Sequence, residues 1–516
     1  MNIKVEMLDG ECWWGGSALN YCTKMPIDKN LYYKLDMYRA ENQIMPLYIS
    51  NKGRYMWSEK PFSVVAEGGV IEASGKDEII LENGGSTLKD AYLSAMKKHF
   101  PFSGKVPDLK FFQTAQYNTW MEFDYNPTQE GVLDYARKIV ENGYKPGILI
   151  IDEGWHTRYG IWQWDFAKFP DPKAMIDELH SMGFKVMLWV VPYVTADGRD
   201  FCFTENGAKS GDEKRNLLRT DDGFACLLRW WNGYSATYNL ANEADRELLG
   251  GILKRLMTDY GVDGFKFDGG DMVSLLPENI VNGRQSSFAP EELNTAWNDF
   301  GTKFEFHEFK DTFKGGGKSS IQRLCDRNHR WKDNGIDSII PAALMQGLIG
   351  HPFICPDMIG GGEFHANYDP NFKTDEELFV RMAQVSALFP MMQFSWAPWR
   401  VLSEKGQALC KKAADLHAEF ADYIVENVKK SAVSGEPIVR HLEYQFPNCG
   451  YEKINDEFML GDKILVAPVI QKGATKRTVV LPEGWWLYLG KTLCKGGRTV
   501  ESDAPIDVLP YFVSAL

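Results

Sequence analysis

Residues 248–268, LLGGILKRLMTDYGVDGFKFD, decide the fold class. Their first half predicts an amphipathic helix, because five apolar side chains recur at helical spacing: Leu248, Leu249, Ile252, Leu253 and Leu256. Gly261 is a typical helix stop, and the apolar segment that follows it ends at Asp268. A helix, a glycine stop, a buried strand and then a polar residue form the repeating unit of a parallel α/β sheet.

Two copies of this unit precede that stretch. In the first, a helix that we expect to begin at Asn126 is followed by the apolar run 148–151. In the second, a helix that we expect to begin at Asp171 is followed by the run 186–191. Uninterrupted apolar runs are typical of parallel strands that are buried on both faces.

The repeat continues towards the C-terminus. Further units are predicted at 338–341, 351–357 and 389–396. The helix predicted at 407–430 is the final one. Residues 105–432 therefore favour a (β/α)8 TIM barrel with an insertion at about 194–240. A doubly wound open sheet is the structural alternative, because it is built from the same unit.

The segments on either side of the barrel are β-rich. Residues 1–104 contain short alternating runs separated by Gly, Pro and Asn, which predicts an N-terminal β-sandwich domain. Residues 433–516 return to short strands and predict a small C-terminal β-sandwich domain. A length of 516 residues is sufficient for three domains.

Composition excludes several classes of protein. The net charge is −13 with no basic run, so nucleic acid is not an expected partner. No apolar run approaches the roughly 18 residues that span a bilayer, and no signal peptide is visible, so we expect no membrane partner. The nine cysteines form no C-x-x-C pair, which favours reduced thiols and a cytoplasmic location. A homo-oligomer is left open.

No cofactor or metal is expected. The histidines show no H-E-x-x-H spacing, and no G-x-G-x-x-G motif follows a predicted strand. The residues that remain as candidates for chemistry are acids at the carboxyl ends of predicted strands, where barrel enzymes place their active sites. These acids are Asp152, Glu153, Asp268 and Asp357.

Asp268 is the most informative of the four. Residues two apart on a strand share a face, so Lys266 and Asp268 are expected to point together. A lysine beside a carboxylate favours the ionised form that a nucleophile needs. The alternative is a purely structural Lys–Asp pair at the strand end.

Four segments resemble glycoside hydrolase family 31, in order along the chain: 169–186, 230–236, 261–271 and 457–469. The resemblance covers roughly residues 45–516. It implies a retaining, exo-acting α-glycoside hydrolase in which Asp268 is the nucleophile and Asp326 the general acid/base. Asp326 lies in Cys325-Asp-Arg327, where the family commonly has Gly-Asp-Asn. A structural Asp326, bridged to Arg327 or Arg330, is the alternative.

Such a pair of carboxyl groups has a physical purpose. Cleavage of an acetal passes through an oxocarbenium-like state that an ionised carboxylate stabilises, while a second, protonated carboxyl group releases the leaving oxygen. The two environments are therefore expected to push the two pKa values in opposite directions.

The resemblance also implies residues that bind the sugar. Asp152 and Glu153 correspond to the place where the family binds distal sugar hydroxyls. Lys310 corresponds to the position of an arginine that contacts the sugar in the family. Aromatic pocket walls are candidates too, although each could equally be plain core. The full set of candidate binding residues is Asp152, Glu153, Trp155, Trp189, Trp231, Lys266, Lys310, Asp357, Trp396 and Trp57.

The expected substrate is an oligosaccharide or other α-glycoside with a terminal α-linked hexose. The nucleophile and acid segments are most similar to the α-galactosidase-like branch of the family, which favours an α-galactoside. The histidine that common α-glucosidase members carry after the seventh strand is missing from segment 394–399. The alternatives are an α-glucosidase or transglycosylase of the same family and, in another class, an inactive barrel that only binds glycans.

Overall fold

A computed structural model describes residues 1–19, 22–196, 217–282, 289–363, 368–369 and 372–515. Its centre is a parallel sheet of nine segments, two of which belong to one strand, so that eight strands result. In chain order the segments are Gln116–Asn118, Ile148–Ile151, Lys185–Val190, Gly264–Phe267, Phe306–Phe309, Ile321–Arg323, Ile354–Cys355, Met358–Ile359 and Gln393–Phe394.

The sheet is closed by its seventh strand, which is interrupted at Pro356 and Asp357. The half Ile354–Cys355 pairs with the sixth strand, and the half Met358–Ile359 pairs with the eighth. The eighth strand in turn pairs with the first. The predicted (β/α)8 barrel is therefore confirmed, and an open doubly wound sheet is excluded.

Helices cover the barrel, and their ends follow from local sequence. Asp171 caps the helix Pro172–Ser181 as predicted, with proline at its first position. The helix Gln129–Glu141 is capped by Thr128 and not by Asn126, so that prediction was two residues early. Among the described residues, the other helices of four or more residues are Leu88–His99, Lys110–Gln113, Trp120–Phe123, Glu243–Tyr260, Pro290–Gly301, Ile339–Leu348, Glu376–Ala387, Pro398–Val401, Glu404–Glu419, Ala421–Ser434 and Leu442–Gln445.

Three predictions in the second half of the barrel were wrong. The segment 338–341, predicted as a strand unit, begins the helix Ile339–Leu348, all ten residues of which are buried. A helix that is apolar on every side has no amphipathic period to distinguish it from a strand. The predicted helix 407–430 is two helices that meet at Phe420. The segment 394–399 follows the eighth strand and not the seventh.

The N-terminal segment forms two antiparallel sheets. One contains Asn2–Glu6, Tyr33–Asp36, Phe62–Glu67 and Val70–Gly75. The other contains Trp13–Ser17, Gln43–Ser50, Arg54–Ser58 and Ile79–Asn83. A strand from the barrel loops, Thr312–Phe313, extends this second sheet by pairing in parallel with Gln43–Ser50. The N-terminal sheet is thus joined to the barrel by backbone hydrogen bonds.

The C-terminal segment is also antiparallel. Its larger sheet contains Val439–Arg440, Phe458–Leu460, Ile464–Val466, Trp485–Tyr488, Thr492–Lys495 and Tyr511–Ser514. Its second sheet pairs Lys476–Leu481 with Arg498–Asp503. The expected insertion at about 194–240 lies partly outside the described residues, and its described part includes a small sheet of Tyr193–Thr195, Leu228–Trp230 and Gly233–Thr237. Within the described ranges, no helix has the length and apolarity needed to cross a membrane.

Candidate active site

A cavity of about 440 Å³ opens at the carboxyl ends of the barrel strands. Its size is that of a small-molecule site. Eight of the twelve residues predicted for the site line it, together with three that were not predicted. The lining residues are Trp120, Tyr125, Asp152, Glu153, Trp189, Trp231, Lys266, Asp268, Lys310, Arg323 and Asp326.

Asp268 follows the fourth strand and is 6% exposed. The indole Nε1 of Trp189, on the neighbouring strand, donates to its Oδ2 at 3.0 Å, and the backbone N–H of Gly269 donates to its Oδ1 at 2.9 Å. Burial alone would favour the neutral acid. The positive charges nearby have a larger effect than burial and lower the pKa of this carboxyl group below its ordinary value. They belong to Lys310, Lys266 and Arg323. Asp268 is therefore an ionised carboxylate at the base of the cavity.

Lys266 is oriented mainly by a different acid. Its Nζ lies 2.7 Å from Asp152 Oδ2 and 3.9 Å from Asp268 Oδ2. The amide of Asn118 also donates to Asp152 Oδ2, at 2.8 Å. Lys266 is thus a fixed cation between two carboxylates, and it is 3% exposed. The expectation that it faces Asp268 holds, but Asp152 is its closer partner.

Asp326 lines the same cavity as Asp268, from the loop that follows the sixth strand. Arg323 Nη1 lies 2.8 Å from its Oδ1, and Lys310 Nζ lies 3.4 Å from its Oδ2. Arg327 is not its partner, because the Arg327 guanidinium donates to Asn334 and Ser338. Among the described residues, the ion pairs of Asp326 are with Arg323 and Lys310 and not with Arg330.

The ionisation of Asp326 differs from the expectation. Burial opposes the charged form, but Lys310 and Arg323 prevail and hold the pKa of Asp326 well below its ordinary range. The pKa values of Asp268 and Asp326 are therefore both lowered in the free protein, and the expected divergence is not found. The sequence could not predict the lowered pKa of Asp326, because Arg323 lies in the sixth strand, which the apolar pattern of the sequence did not reveal.

Glu153 belongs to a separate hydrogen-bonded group on one wall. Its Oε1 accepts from the Tyr159 hydroxyl and from Asn232 Nδ2, and Tyr125 donates to Asn232 Oδ1 at 3.0 Å. Burial raises the pKa of Glu153 to about 8, and the nearby acids Asp152 and Asp268 contribute to the rise. At neutral pH this wall presents a protonated carboxyl group.

Two tryptophans form walls of different kinds. Trp189 is 1% exposed and serves as a hydrogen-bond donor to Asp268. Trp231 is 49% exposed and lies at the tip of the hairpin made by Leu228–Trp230 and Gly233–Thr237. Lys310 Nζ lies 5.6 Å from the centre of the Trp231 ring, a cation–π distance. Trp231 is therefore an open aromatic surface beside Lys310.

Four predicted binding residues do not line the cavity. Trp155 is fully buried and donates to the backbone oxygen of Trp189 at 2.9 Å. Trp57 lies in the N-terminal sheet, where it stacks on His99 at 3.6 Å. Trp396 packs against His329 and Phe372. Asp357 is 2% exposed and pairs with Arg323.

The sequence interpretation missed three lining residues. Trp120 and Tyr125 follow the first strand, and Arg323 ends the sixth. Both strands are short and partly polar, so they carry no apolar run. The N-terminal sheet contributes as well, because Asn42 and Gln43 donate to the backbone oxygen of Lys310 at 2.9 and 2.8 Å. Across the described part of the chain, no three His, Cys, Asp or Glu side chains are arranged to hold a metal ion.

The geometry defines a class of chemistry. Four carboxyl groups, three cations and four aromatic side chains line one cavity at the carboxyl ends of the barrel strands. A carboxylate can attack or stabilise a cationic centre, and a second carboxyl group can exchange a proton with a neighbouring oxygen. Aromatic faces beside carboxyl groups are suited to a polyhydroxylated ring.

Comparison with protein families agrees with this class. Residues 110–427 match the glycosyl hydrolases family 31 TIM-barrel domain, and residues 435–515 match the glycosyl hydrolase family 31 C-terminal domain. The chain belongs to glycoside hydrolase family 31.

Several curated relatives are similar over most of the chain. The myogenesis-regulating glycosidase of Mus musculus is 32% identical over 445 residues, which are 84% of this chain and 60% of that protein. The isomaltosyltransferase of Sporosarcina globispora is 25% identical over 379 residues, 67% of this chain and 33% of that protein. The sulfoquinovosidase of Escherichia coli K12 is 24% identical over 462 residues, 83% and 64% of the two chains. The chain thus spans between a third and two thirds of these relatives' lengths.

Solved structures share the fold. The Flavobacterium johnsoniae GH31 dextranase complexed with glucose has a TM-score of 0.83 at 18% identity, over 99% of this chain and 66% of that one. A GH31 α-xylosidase from a soil metagenome, complexed with xylose, has a TM-score of 0.83 at 21% identity, over 100% and 79% of the two chains. At these identities the likeness concerns the fold.

Proposed function

We propose that this protein is a retaining, exo-acting α-glycosidase. The observation that supports this most directly is that Asp268 and Asp326 line one cavity of about 440 Å³. Asp268 is 6% exposed at the end of a barrel strand, and a nucleophile buried in this way suits the terminal sugar of a chain more than an internal one. The family membership and the glycosidase names of relatives agree with it.

In the proposed reaction Asp268 attacks the anomeric carbon and displaces the aglycone oxygen, which takes a proton from Asp326. Water then gives a proton to Asp326 and attacks the same carbon, which frees Asp268 and releases the sugar with its α configuration retained. Because cations hold Asp326 ionised in the free protein, it must acquire its proton before the first step. The negative charge on Asp268 favours that protonation.

We further propose a terminal α-galactoside as the substrate, with Asp152, Glu153, Lys266 and Lys310 as its polar contacts. Lys266 agrees with a hexose in general, because a cation held at 2.7 Å by Asp152 beside the nucleophile can bind ring hydroxyls. The choice of galactose comes from the similarity of the nucleophile and acid segments to the α-galactosidase-like branch of the family. The absence of a histidine from segment 394–399 does not support an α-galactoside. That histidine was expected after the seventh strand, and this segment belongs to the end of the eighth. Relatives named as an α-glucosidase and an isomaltosyltransferase keep glucosides and transfer as the alternatives to test.

The decisive experiment is a panel of nitrophenyl α-glycosides followed by NMR of the first sugar released. We expect the galactoside to be cleaved fastest, the α-anomer to appear first and an activated fluorosugar to label Asp268. The variant Asp268→Ala should be inactive on the whole panel. First release of the β-anomer, or a label on another residue, would contradict retention through Asp268. No cleavage of any α-glycoside between about pH 4 and 9 would favour a glycan-binding barrel.

The role of Asp326 is tested with leaving groups of different quality. We expect Asp326→Ala to lower kcat/KM by about 10²–10⁴ on an α-linked disaccharide, whose leaving oxygen needs a proton. The loss should be much smaller on a dinitrophenyl glycoside, and azide should restore turnover by forming a glycosyl azide. Equal losses on both substrates would remove Asp326 from this role.

A further inference from the structure

Asp357 occupies an unusual place in the barrel. It lies in the break of the seventh strand, is 2% exposed and has a backbone φ of 99°, in the left-handed region that residues other than glycine rarely adopt. Such conformations persist only where surrounding contacts hold them, and they cluster at functional sites. Asp357 does not line the cavity, so its role has to be sought in the contacts it makes.

Those contacts surround Asp326. Asp357 Oδ1 pairs with Arg323 Nη1, and Asp357 Oδ2 accepts from the backbone N–H of Arg327 at 2.7 Å. Arg323 precedes Asp326 by three residues and Arg327 follows it directly. One buried carboxylate therefore fixes the chain on both sides of Asp326.

The segment that follows Asp357 packs on the same loop. The backbone N–H of Gly362 donates to Arg327 O at 2.9 Å. A Cβ added to Gly362 would lie 3.2 Å from Asp326 Cβ, and one added to Gly361 would lie 2.8 Å from Arg327 O. Residues 357–362 thus form a close-fitting support for the backbone that carries Asp326.

Arg323 couples the ionisation of Asp326 to that of Asp357, because it forms an ion pair with both. Its Nη1 contacts Asp326 Oδ1 at 2.8 Å and also contacts Asp357 Oδ1, and its Nε lies 3.4 Å from Glu308 Oε1, so three acids share one guanidinium. The other charged or titratable groups that face Asp326 are Lys310, Lys266, Asp268 and Cys325. Arg323 is only 1% exposed, which leaves little solvent to screen this competition.

We propose that Asp357 is a positioning residue, which fixes the place of Asp326 and, by sharing Arg323 with it, makes Asp326 easier to protonate. This inference rests on the proposed function, in which Asp326 is the general acid/base. Asp357 itself touches no substrate in this scheme.

Two variants should shift the pH profile in opposite directions. Asp357→Asn keeps an oxygen for the Arg327 N–H but removes one of the acids that compete for Arg323. Arg323 then interacts more strongly with Asp326, although Glu308 remains beside it, and the protonation of Asp326 becomes harder. The alkaline limb of kcat, which reports the complex with substrate in which the acid holds its proton, should move to lower pH by on the order of one unit. Arg323→Met/Asp357→Asn also removes the cation, and its alkaline limb should lie above that of the wild type.

A matched control exists elsewhere in the barrel. Asp263 also accepts a backbone N–H, from Val186 at 2.8 Å, and pairs with a cation, Lys185, at 2.7 Å. We expect Asp263→Asn to lower the melting temperature without moving the alkaline limb. If Asp357→Asn behaved in the same way, Asp357 would be a structural residue only and the proposal would be wrong. Should Asp357→Asn fail to fold, the double variant, in which the charged pair is removed together, carries the test.

A measurement without substrate separates this proposal from the proposed function. The carboxyl ¹³C signal of Asp326, assigned with Asp326→Asn, can be titrated in the free protein. Its midpoint, which is already below the ordinary range in the wild type, should rise in the double variant and should not rise in Asp357→Asn. Absence of glycosidase activity would refute the proposed function while this titration still decides the role of Asp357. An unchanged midpoint in both variants would refute the positioning role.

Discussion

Glu153 shows how the barrel sets the charge of a single residue. It is 3% exposed, and two neighbouring acids accompany it at the carboxyl ends of the strands. Its neutral form can donate a hydrogen bond to a sugar oxygen, which a carboxylate cannot do. The charge of a site acid therefore depends on partners that only the fold brings together.

The ionisation of Glu153 has a consequence for stability. Its pKa in the folded protein is about 8, above the ordinary value of 4.5, so the folded protein holds this proton more tightly than the unfolded chain. Stability should therefore fall as the pH rises through this interval. We expect the stability of Glu153→Gln to decrease less than that of the wild type over this pH interval, because glutamine has no proton to lose. The variant should still bind a substrate analogue almost normally near neutral pH, where Glu153 is also uncharged. Melting temperatures measured across the interval test this, and parallel slopes for variant and wild type would contradict it.

At the scale of elements, the strands divide into those that the sequence revealed and those that it did not. Ile148–Ile151, Lys185–Val190 and Gly264–Phe267 lie within or close to their predicted runs, because their side chains are almost all apolar. The fifth and sixth strands were not predicted, since they place the charged residues Glu308 and Arg323 in the barrel interior. A buried polar side chain is tolerated there because tertiary partners satisfy it, as Gln393 does for Glu308 at 2.9 Å.

The helix Glu243–Tyr260 allows a paired test of its end. Gly261 follows it with φ 87° and donates its N–H to the last turn. We expect Gly261→Ala to lower the free energy of unfolding by about 1 kcal/mol, because alanine is strained at this φ. Gly251→Ala, inside the same helix with no atom within 4 Å of the added Cβ, should raise it by about 1 kcal/mol. Urea denaturation of both variants measures this, and changes of equal sign would contradict it.

At the scale of the whole molecule, the N-terminal sheet takes part in building the cavity. Gln43 Nε2 donates to Lys310 O at 2.8 Å and to Arg323 O at 3.0 Å, and Asn42 Oδ1 accepts from Cys325 N–H at 3.2 Å. These bonds hold the backbone of two cations and of the residue before Asp326. The resemblance to a family located Asp268 and Asp326 as candidates, but this support between domains has no local signature.

We expect Gln43→Ala to reduce kcat by on the order of 10²-fold, because small displacements of positioned groups are costly in catalysis. The fold should persist, since Gln43 lies on a strand whose pairing is carried by the backbone. Glu72→Ala, in the other N-terminal sheet, removes an exposed ion pair with Lys4 and should leave kcat unchanged. Rates on a nitrophenyl glycoside compare the two, and equal rates would show that Gln43 has no such influence.

The strand Thr312–Phe313 comes from a barrel loop but pairs with the N-terminal sheet. This pairing limits how domains of such a chain can be exchanged with those of a relative. The partner strand Gln43–Ser50 and the cavity residue Lys310 are adjacent to the same junction. A chimaera that exchanges residues 1–104 alone would mismatch this junction and displace Lys310. If residues 1–104 were exchanged together with the loop after the fifth strand, the pairing at this junction would be preserved. The two segments should therefore be exchanged together.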